Sequence, residues 1–220
     1  MQLLFFYFYM AVNTEKYREI IEELDGKAIL VAVSKTKPVE DIKALYDLGQ
    51  RDFGENYVQE MVEKFGKLPK DIRWHFIGHL QSNKVKQIAP FVFLIHGVDS
   101  YKLLQEINKQ GEKNNRVINC LLQVHIAQEE TKFGLNEEEL NDLITRIGEL
   151  KNVKVCGLMG MASFTDDMKK VRSEFRNLRS LFEKYKTLST ISMGMSADYK
   201  VAIEEGSNMV RIGSLIFGER

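Results

Sequence analysis

The amino-acid sequence predicts a single (β/α)8 barrel, an α/β fold of the TIM type. Short apolar or β-branched runs alternate with longer amphipathic stretches, and eight such strand–helix units follow one another along the 220 residues. The strand runs are apolar almost throughout, as expected of parallel strands covered by helices. A doubly wound open sheet is the competing architecture. Its usual Gly-rich first turn is absent here, because the first strand is followed by Ser34-Lys35-Thr36-Lys37-Pro38.

The predicted strands share apolar residues bounded by polar or turn-forming residues. In chain order they cover residues 28–34, 51–54, 73–78, 91–98, 117–125, 153–159, 190–193 and 209–212. The predicted helices share an amphipathic pattern with a period of 3.6 residues. They cover residues 15–24, 39–48, 57–65, 83–88, 101–113, 136–150, 168–186 and 197–204. Asn13 or Thr14 is expected to cap the first helix, and Gly49 ends the second.

The composition is that of a globular protein with a core of its own. Hydrophobic residues make up 44% and charged residues 28% of the chain. The 31 basic and 31 acidic residues give a formal net charge of zero. Nucleic acids and anionic membranes bind proteins that have an excess of basic residues. This chain has no such excess, so we expect neither as a partner.

The two cysteines and the first residues bear on cellular location. Cys120 and Cys156 lie in apolar runs without a CxxC pair, which favours buried thiols in a reducing compartment, the cytoplasm. Residues 1–12 form an atypical apolar segment ahead of a barrel domain at 13–220. This segment lacks a basic start and a cleavage site and is too short to span a bilayer. Either translation begins at Met10, or the segment packs under the barrel or against a partner.

Polar residues that follow the strands are the candidates for function, because TIM-type barrels carry their sites at the carboxyl ends of the strands. Lys35 follows the first strand. Burial lowers the pKa of a lysine, and a neutral amine is what a Schiff base needs. The alternative is a solvated lysine at the rim. Asn56 follows the second strand and offers a donor and an acceptor to a ring substituent, or simply caps the next helix.

The histidines do not form a metal motif. His75 and His79 are four residues apart, roughly 13 Å along a strand, which is too far to share one ion. With His96 and His125 elsewhere in the chain, we expect no zinc site. Met161 follows the sixth strand. Its side chain either packs against the face of a flat ring or is an ordinary residue of the hydrophobic core.

The loops after the last two strands have the composition of a phosphate site. Small residues expose backbone N–H groups and hydroxyls add donors, at the place where these barrels commonly bind phosphate. The candidate residues are Ser192, Ser196, Gly213 and Ser214. Taken singly, Ser196 is also compatible with an ordinary helix cap and Gly213 with a tight turn.

Six segments carry a resemblance to a known family. They are AVSKTKP (32–38), FGENYVQE (53–60), WHFIGHLQSNK (74–84), GLMGMA (157–162), SMGMSADYKVAIEEGS (192–207) and VRIGSLIFGER (210–220). Together they resemble the YggS-like pyridoxal 5′-phosphate (PLP) homeostasis proteins, from about Thr14 to Arg220 but not before Met10. The resemblance implies a single-domain barrel of PLP fold type III, similar to the N-terminal domain of alanine racemase.

The same resemblance implies a role for each candidate residue. Lys35 becomes the Schiff-base lysine, and Arg211 faces the pyridine nitrogen. Asn56 flanks the ring near its 3-hydroxyl, while His79 and Met161 line the pocket. The residues implied to hold the phosphate are Ser192, Ser196, Gly213 and Ser214. Lys37 and Lys132 stand near the mouth, where family members pass PLP on.

The resemblance implies a PLP carrier in vitamin B6 homeostasis, a monomer that passes PLP transiently to apo-enzymes and has no robust catalysis. The alternative is a racemase or decarboxylase. Racemases resembling this barrel add a second β domain, and the eight residues after Ile212 leave no room for one. Arg211 can donate to the ring nitrogen but cannot leave it protonated, which weakens the ring as an electron sink. This suits racemases with strong bases, or a protein that only carries the cofactor. A third possibility, another phosphorylated metabolite, requires that Lys35 form no Schiff base.

Overall fold

Eight parallel strands close into a barrel in the order of the sequence, with β1 hydrogen-bonded to β8. This arrangement was obtained as a computed structural model, which describes residues 12–127 and 133–219. It confirms the predicted fold class. The expected N-terminal segment lies outside the described residues except for Val12, and Lys132 lies outside them as well.

The strands are short and are joined through helices. They are β1 (Ile29–Val33), β2 (Asp52–Glu55), β3 (Arg73–Phe76), β4 (Leu94–Val98), β5 (Ile118–Gln123), β6 (Val153–Met159), β7 (Thr190–Ser192) and β8 (Met209–Ile212). The α-helices within the described ranges are α1 (Thr14–Leu24), α2 (Val39–Asp47), α3 (Val58–Lys67), α4 (Val85–Ile88), α5 (Tyr101–Lys113), α6 (Glu137–Arg146), α7 (Met168–Glu183), α8 (Tyr199–Glu204) and α9 (Ser214–Phe217). Asn13 caps α1, since its side chain accepts a hydrogen bond from the backbone N–H of Lys16 at 2.9 Å.

Strand β4 is shorter than predicted. The sequence predicts a strand from residue 91, but the backbone N–H groups of Phe91 and Val92 both donate to Ile88 O. The Phe91 ring then stacks on Phe65 with the centroids 3.9 Å apart. The apolar character of these residues therefore serves packing outside the barrel, and the strand begins at Leu94.

Side chains alternate along each strand between the barrel interior and the helix layer. Val210 and Ile212 of β8 lie in the large core under the helices, whereas Met209 lies in a smaller cluster inside the barrel. The members of this inner cluster are Val31, Leu94, Leu121, Met159 and Met209. Arg211 has the same parity as Met209, so it points into the barrel.

Every helix within residues 12–127 and 133–219 is too short or too polar to span a lipid bilayer.

Candidate functional site

Lys35 stands in a tight turn at the carboxyl end of β1. The alternation along β1 places Val31 inside the barrel and directs the buried Ser34 outward to Glu55, so Lys35 falls on the inner side. The turn is closed by a hydrogen bond of 3.0 Å from Lys37 N to Ser34 O. Thr36 has a φ of +64°, a left-handed conformation that costs a β-branched residue about 1–2 kcal/mol. The surrounding structure must therefore hold this turn in place.

The loops that follow β2 and β8 flank the Lys35 turn. Gly54 of β2 pairs with Val33, and its carbonyl accepts a 3.0 Å hydrogen bond from Ser34 N. On the other side, a Cβ at Gly213 would lie 3.2 Å from both Val33 Cβ and Val33 O. The close approach of the two backbones favours glycine here. Lys35 consequently lies between the loop that carries Asn56 and the loop that carries Gly213.

Asn56 holds a buried acceptor that has no partner among the described residues. Its Oδ1 atom is buried and receives no hydrogen bond from them. The next loop presses on its backbone, since a Cβ at Gly78 would lie 2.4 Å from Asn56 O. An unsatisfied buried acceptor costs about 1–3 kcal/mol. A ligand with a hydroxyl or N–H group would remove this cost.

The loops after β7 and β8 are joined at the same end of the barrel. Gly213 N donates to Ser196 Oγ at 3.3 Å, and Arg211 N donates to Gly194 O at 3.0 Å. The side chain of Ser214 is exposed and Ser196 is half-buried, so both hydroxyls remain accessible to a ligand. Ser192 is placed differently: it is completely buried and lies further inside the barrel than Ser196 and Ser214.

Arg211 is buried inside the barrel and held by three hydrogen bonds. Its Nη1 donates to Ser192 Oγ at 2.7 Å and to Ser192 O at 3.0 Å, and its Nη2 donates to Gly160 O at 3.2 Å. Burial lowers the pKa of Arg211 to about 10, so the guanidinium keeps its charge at neutral pH. The carbonyl and hydroxyl of Ser192 thus hold the Arg211 guanidinium in place.

A chain of buried polar groups continues from Ser192 across the barrel, and the sequence patterns do not reveal it. His96 Nδ1 lies 3.4 Å from Ser192 Oγ, and His96 Nε2 lies 2.9 Å from His75 Nδ1. His75 Nε2 lies 2.9 Å from Asp52 Oδ1. In the sequence this chain is visible only as polar residues at inward positions of these strands, which do not indicate their partners on other strands.

The direction of this chain follows from its carboxylate end. Burial lowers the pKa of His75 and lowers that of His96 well below its ordinary value, so both rings are neutral. Asp52 can only accept, because hydrogen bonds from Arg73 and His75 outweigh burial and lower its pKa. His75 therefore donates from Nε2 and accepts at Nδ1, which requires His96 to donate from Nε2. His96 Nδ1 then accepts from the Ser192 hydroxyl, which itself accepts from the guanidinium.

His79 and Met161 lie at the edge of the site. His79 is exposed at the rim, where its ring stacks on Phe133 at 4.7 Å and its Nδ1 lies 3.4 Å from Asp99 Oδ2. Met161 is half-buried and packs against the cluster inside the barrel. The structure thus places Met161 deeper than His79.

Lys37 is engaged with the end of the chain. Its Nζ donates to Phe217 O at 2.7 Å and to Glu219 O at 3.3 Å. These carbonyls belong to the last turn of α9 and the residues after it, so Lys37 satisfies groups that the helix leaves without partners.

The fold and this site define a class of barrels with a lysine after the first strand, a buried arginine on the last strand and two loops of small and hydroxyl-bearing residues. Residues 10–220 match the family described as alanine racemase, N-terminal domain. The alanine racemase of Clostridium difficile 630 has the same fold, with a TM-score of 0.75 over 93% of this chain and 56% of that chain at 14% identity.

Closer relatives identify the family within this class. The pyridoxal phosphate homeostasis protein of Aquifex aeolicus is 46% identical over 199 residues, covering 88% of this chain and 87% of its own. The protein of the same name from Schizosaccharomyces pombe is 38% identical over 210 residues, 92% of this chain and 89% of its own. The structure of PipY from Synechococcus elongatus PCC7942 with PLP bound has a TM-score of 0.86 and 31% identity, covering 95% of this chain and all 100% of PipY. The chain belongs to the pyridoxal phosphate homeostasis protein family.

Proposed function

We propose that this chain binds PLP at the carboxyl end of its barrel, holds it covalently through Lys35 and serves as a carrier in PLP homeostasis. The observation that carries the proposal is the convergence at one end of the barrel. There the Lys35 turn lies between Asn56, whose buried acceptor has no partner among the described residues, and the Gly213 loop, which follows directly on Arg211. The PLP bound to PipY and the shared name of the relatives support the choice of ligand.

The residues present fit the groups of PLP. Asn56 Oδ1, which has no partner within residues 12–127 and 133–219, would accept a hydrogen bond from the ring hydroxyl. The hydroxyls of Ser196 and Ser214 would bind the phosphate beside Gly213, which carries no side chain of its own. Met161 would pack against the face of the ring, and His79 would line the entrance.

Lys35 and Arg211 would divide the chemistry between them. PLP supplies an aldehyde, to whose carbon a primary amine adds, with loss of one water as the carbon–nitrogen bond forms. Lys35 supplies that amine. Arg211, oriented by Ser192, would donate to the ring nitrogen while keeping its own proton. Because Arg211 would leave the ring nitrogen unprotonated, the ring would be a weak electron sink, which suits a carrier and equally suits a racemase that has strong bases.

The carrier would act in the cytoplasm. Cys120 and Cys156 are free thiols, which suits the reducing cytoplasm. There the protein, acting as a monomer, would hand PLP transiently to PLP-dependent apo-enzymes. The barrel domain would comprise residues 13–220.

An absorbance experiment with borohydride tests the covalent attachment. The purified protein is incubated with PLP, scanned, reduced and digested for peptide mass spectrometry. We expect a visible band that bleaches on reduction and leaves the added mass on Lys35. Lys35→Ala should lack the band. Lys43→Ala, a change of an exposed lysine on α2 that pairs with Asp47, should keep it. A band that persists unchanged in Lys35→Ala would overturn the attachment.

A turnover assay separates the carrier from an enzyme of the same fold. The PLP-loaded protein is incubated with L-alanine, and the two enantiomers are measured over time by chiral chromatography. A carrier leaves the composition as it was, whereas steady formation of D-alanine, lost in Lys35→Ala, would make the protein a racemase.

A further inference from the structure

A buried ion cluster lies directly behind the Lys35 turn. It consists of Glu55 at the end of β2 and of Glu60 and Lys64 on α3. Glu55 is completely buried and Lys64 is only 5% exposed. Lys64 Nζ donates to Glu55 Oε1 at 2.8 Å and to Glu60 Oε1 at 2.7 Å. None of the three residues is among the candidate ligand contacts.

The cluster binds both peptide groups that flank Lys35. Lys64 Nζ donates its third hydrogen bond, 2.7 Å long, to Ser34 O, which belongs to the peptide group before Lys35. Glu60 Oε1 accepts a 2.5 Å hydrogen bond from Thr36 N, which belongs to the peptide group after it. The Ser34 hydroxyl donates to Glu55 Oε1 at 2.6 Å. With both peptide planes held, the backbone torsions of Lys35 are fixed.

Stability alone does not account for this cluster. The desolvation of buried charges offsets most of their attraction, and apolar residues of similar volume often stabilise a fold equally well. Helix α3 already buries Val58 and Met61 against the core. What the charges add is directional contact with a turn whose Thr36 is in the left-handed region.

We propose that Lys64, Glu60 and Glu55 are positioning residues for Lys35, which hold the turn so that the Lys35 amine is presented to the aldehyde of the ligand. This inference rests on the proposed function. It concerns the rate at which the carbon–nitrogen bond forms with loss of water, whereas ligand binding as such depends on other residues. Affinity and covalent attachment should therefore respond differently to substitutions in the cluster.

Two probes separate these quantities. The rate of attachment is measured by trapping PLP on Lys35 with borohydride at successive times. Affinity is measured by titration with pyridoxine 5′-phosphate, which carries an alcohol in place of the aldehyde and cannot bond to Lys35. In Glu60→Ala we expect trapping to slow about tenfold or more, since small misplacements of a reacting group have effects of this size. The affinity for pyridoxine 5′-phosphate should stay within about twofold of the unsubstituted protein.

Matched variants distinguish positioning from general support. Glu63→Ala removes an exposed carboxylate from the same helix and should change neither quantity. Glu60→Gln keeps an oxygen that can accept from Thr36 N and should restore most of the rate. Lys64→Met should slow trapping as Glu60→Ala does, with Lys67→Met as its control. If Lys64→Met fails to fold, the variants at the partly exposed Glu60 still test the inference.

The possible failures are distinct. Trapping at the unsubstituted rate in Glu60→Ala would overturn the inference. So would an equal loss of rate and affinity, because the cluster would then support the whole site rather than Lys35. If the unsubstituted protein traps no PLP on Lys35, the proposed function itself fails and this inference falls with it.

Discussion

Acidification should destabilise this protein, because its barrel interior holds two neutral histidines. His75 and His96 are completely buried, and burial lowers the pKa of both from the ordinary 6.5. As the pH falls below 6.5, both residues gain a proton more readily in the unfolded chain than in the folded one. The unfolded state then binds more protons, so the free energy of unfolding falls. The loss approaches about 1.4 kcal/mol per pH unit for each histidine.

Glu55 acts in the opposite sense. Burial raises its pKa from 4.5 to about 7, against the opposing effect of Lys64. Between these values the folded state holds a proton that the unfolded state lacks, so this contribution to stability is complete below 4.5 and is lost as the pH rises through about 7. Since two histidines oppose one glutamate, acidification from roughly pH 6 to pH 5 should lower the free energy of unfolding by up to about 1.4 kcal/mol.

Urea unfolding followed by tryptophan fluorescence measures this slope. Trp74, the single tryptophan, is completely buried on β3 and reports on the core. His96→Gln keeps a hydrogen-bonding side chain but removes one titrating group. Only His75 then opposes Glu55, so the loss of stability between roughly pH 6 and pH 5 should become smaller. His79→Gln, a change of the exposed histidine at the rim, should keep the original slope.

Two outcomes would refute this reasoning. If the free energy of unfolding of the unsubstituted protein does not change over this pH range, the histidines take up protons in the folded state. If His96→Gln leaves the slope unchanged, His96 does not contribute to it. In either case the direction assigned to the hydrogen bonds between Asp52 and Arg211 would be wrong.

Two further substitutions test the loops of the site. Gly78→Ala should lower the free energy of unfolding by about 1–3 kcal/mol, because its Cβ would lie 2.4 Å from Asn56 O and the loop would have to shift. Gly66→Ala, which meets open space on α3, should instead stabilise by about 1 kcal/mol, and similar losses at both glycines in urea unfolding would contradict the steric argument. Asn56→Ala removes a buried acceptor that has no partner in the described part of the chain, so it should leave the PLP-free protein as stable or more stable while weakening PLP binding about tenfold. Titration with PLP and urea unfolding of the same preparation check this, and a less stable variant with unchanged affinity would disprove it.

Positions at the ends of strands could be predicted because the rule that governs them is local. Each apolar run ends where a polar residue or glycine follows, and parallel strands bring all those ends to one side. The positions of Lys35, Asn56 and Gly213 just after strands could be predicted in this way, but the residues that they contact could not. Strand β4 shows the limit of the rule, since Phe91 is as apolar as a strand residue but packs against Phe65 outside the barrel.

The two buried networks were beyond the reach of sequence patterns. His75 and His96 are 21 residues apart, and only the register of β3 beside β4 brings their rings within 2.9 Å. Ser192 follows His96 by 96 residues and meets it across the interior of the closed barrel. A histidine on an apolar strand indicates no particular partner, because the side chains that it meets depend on how all eight strands close.

The sequence by itself determined the barrel and the end at which the polar residues that follow its strands gather. These features depend on hydrophobic periodicity and on chain order, both of which are local properties of the sequence. Only the tertiary structure decided that Ser192 lies beneath Arg211 and that Lys64 and Glu60 hold the peptide groups on either side of Lys35. Such contacts join atoms of distant segments. Their existence depends on distances and burial, which are set when the helices pack around the closed barrel.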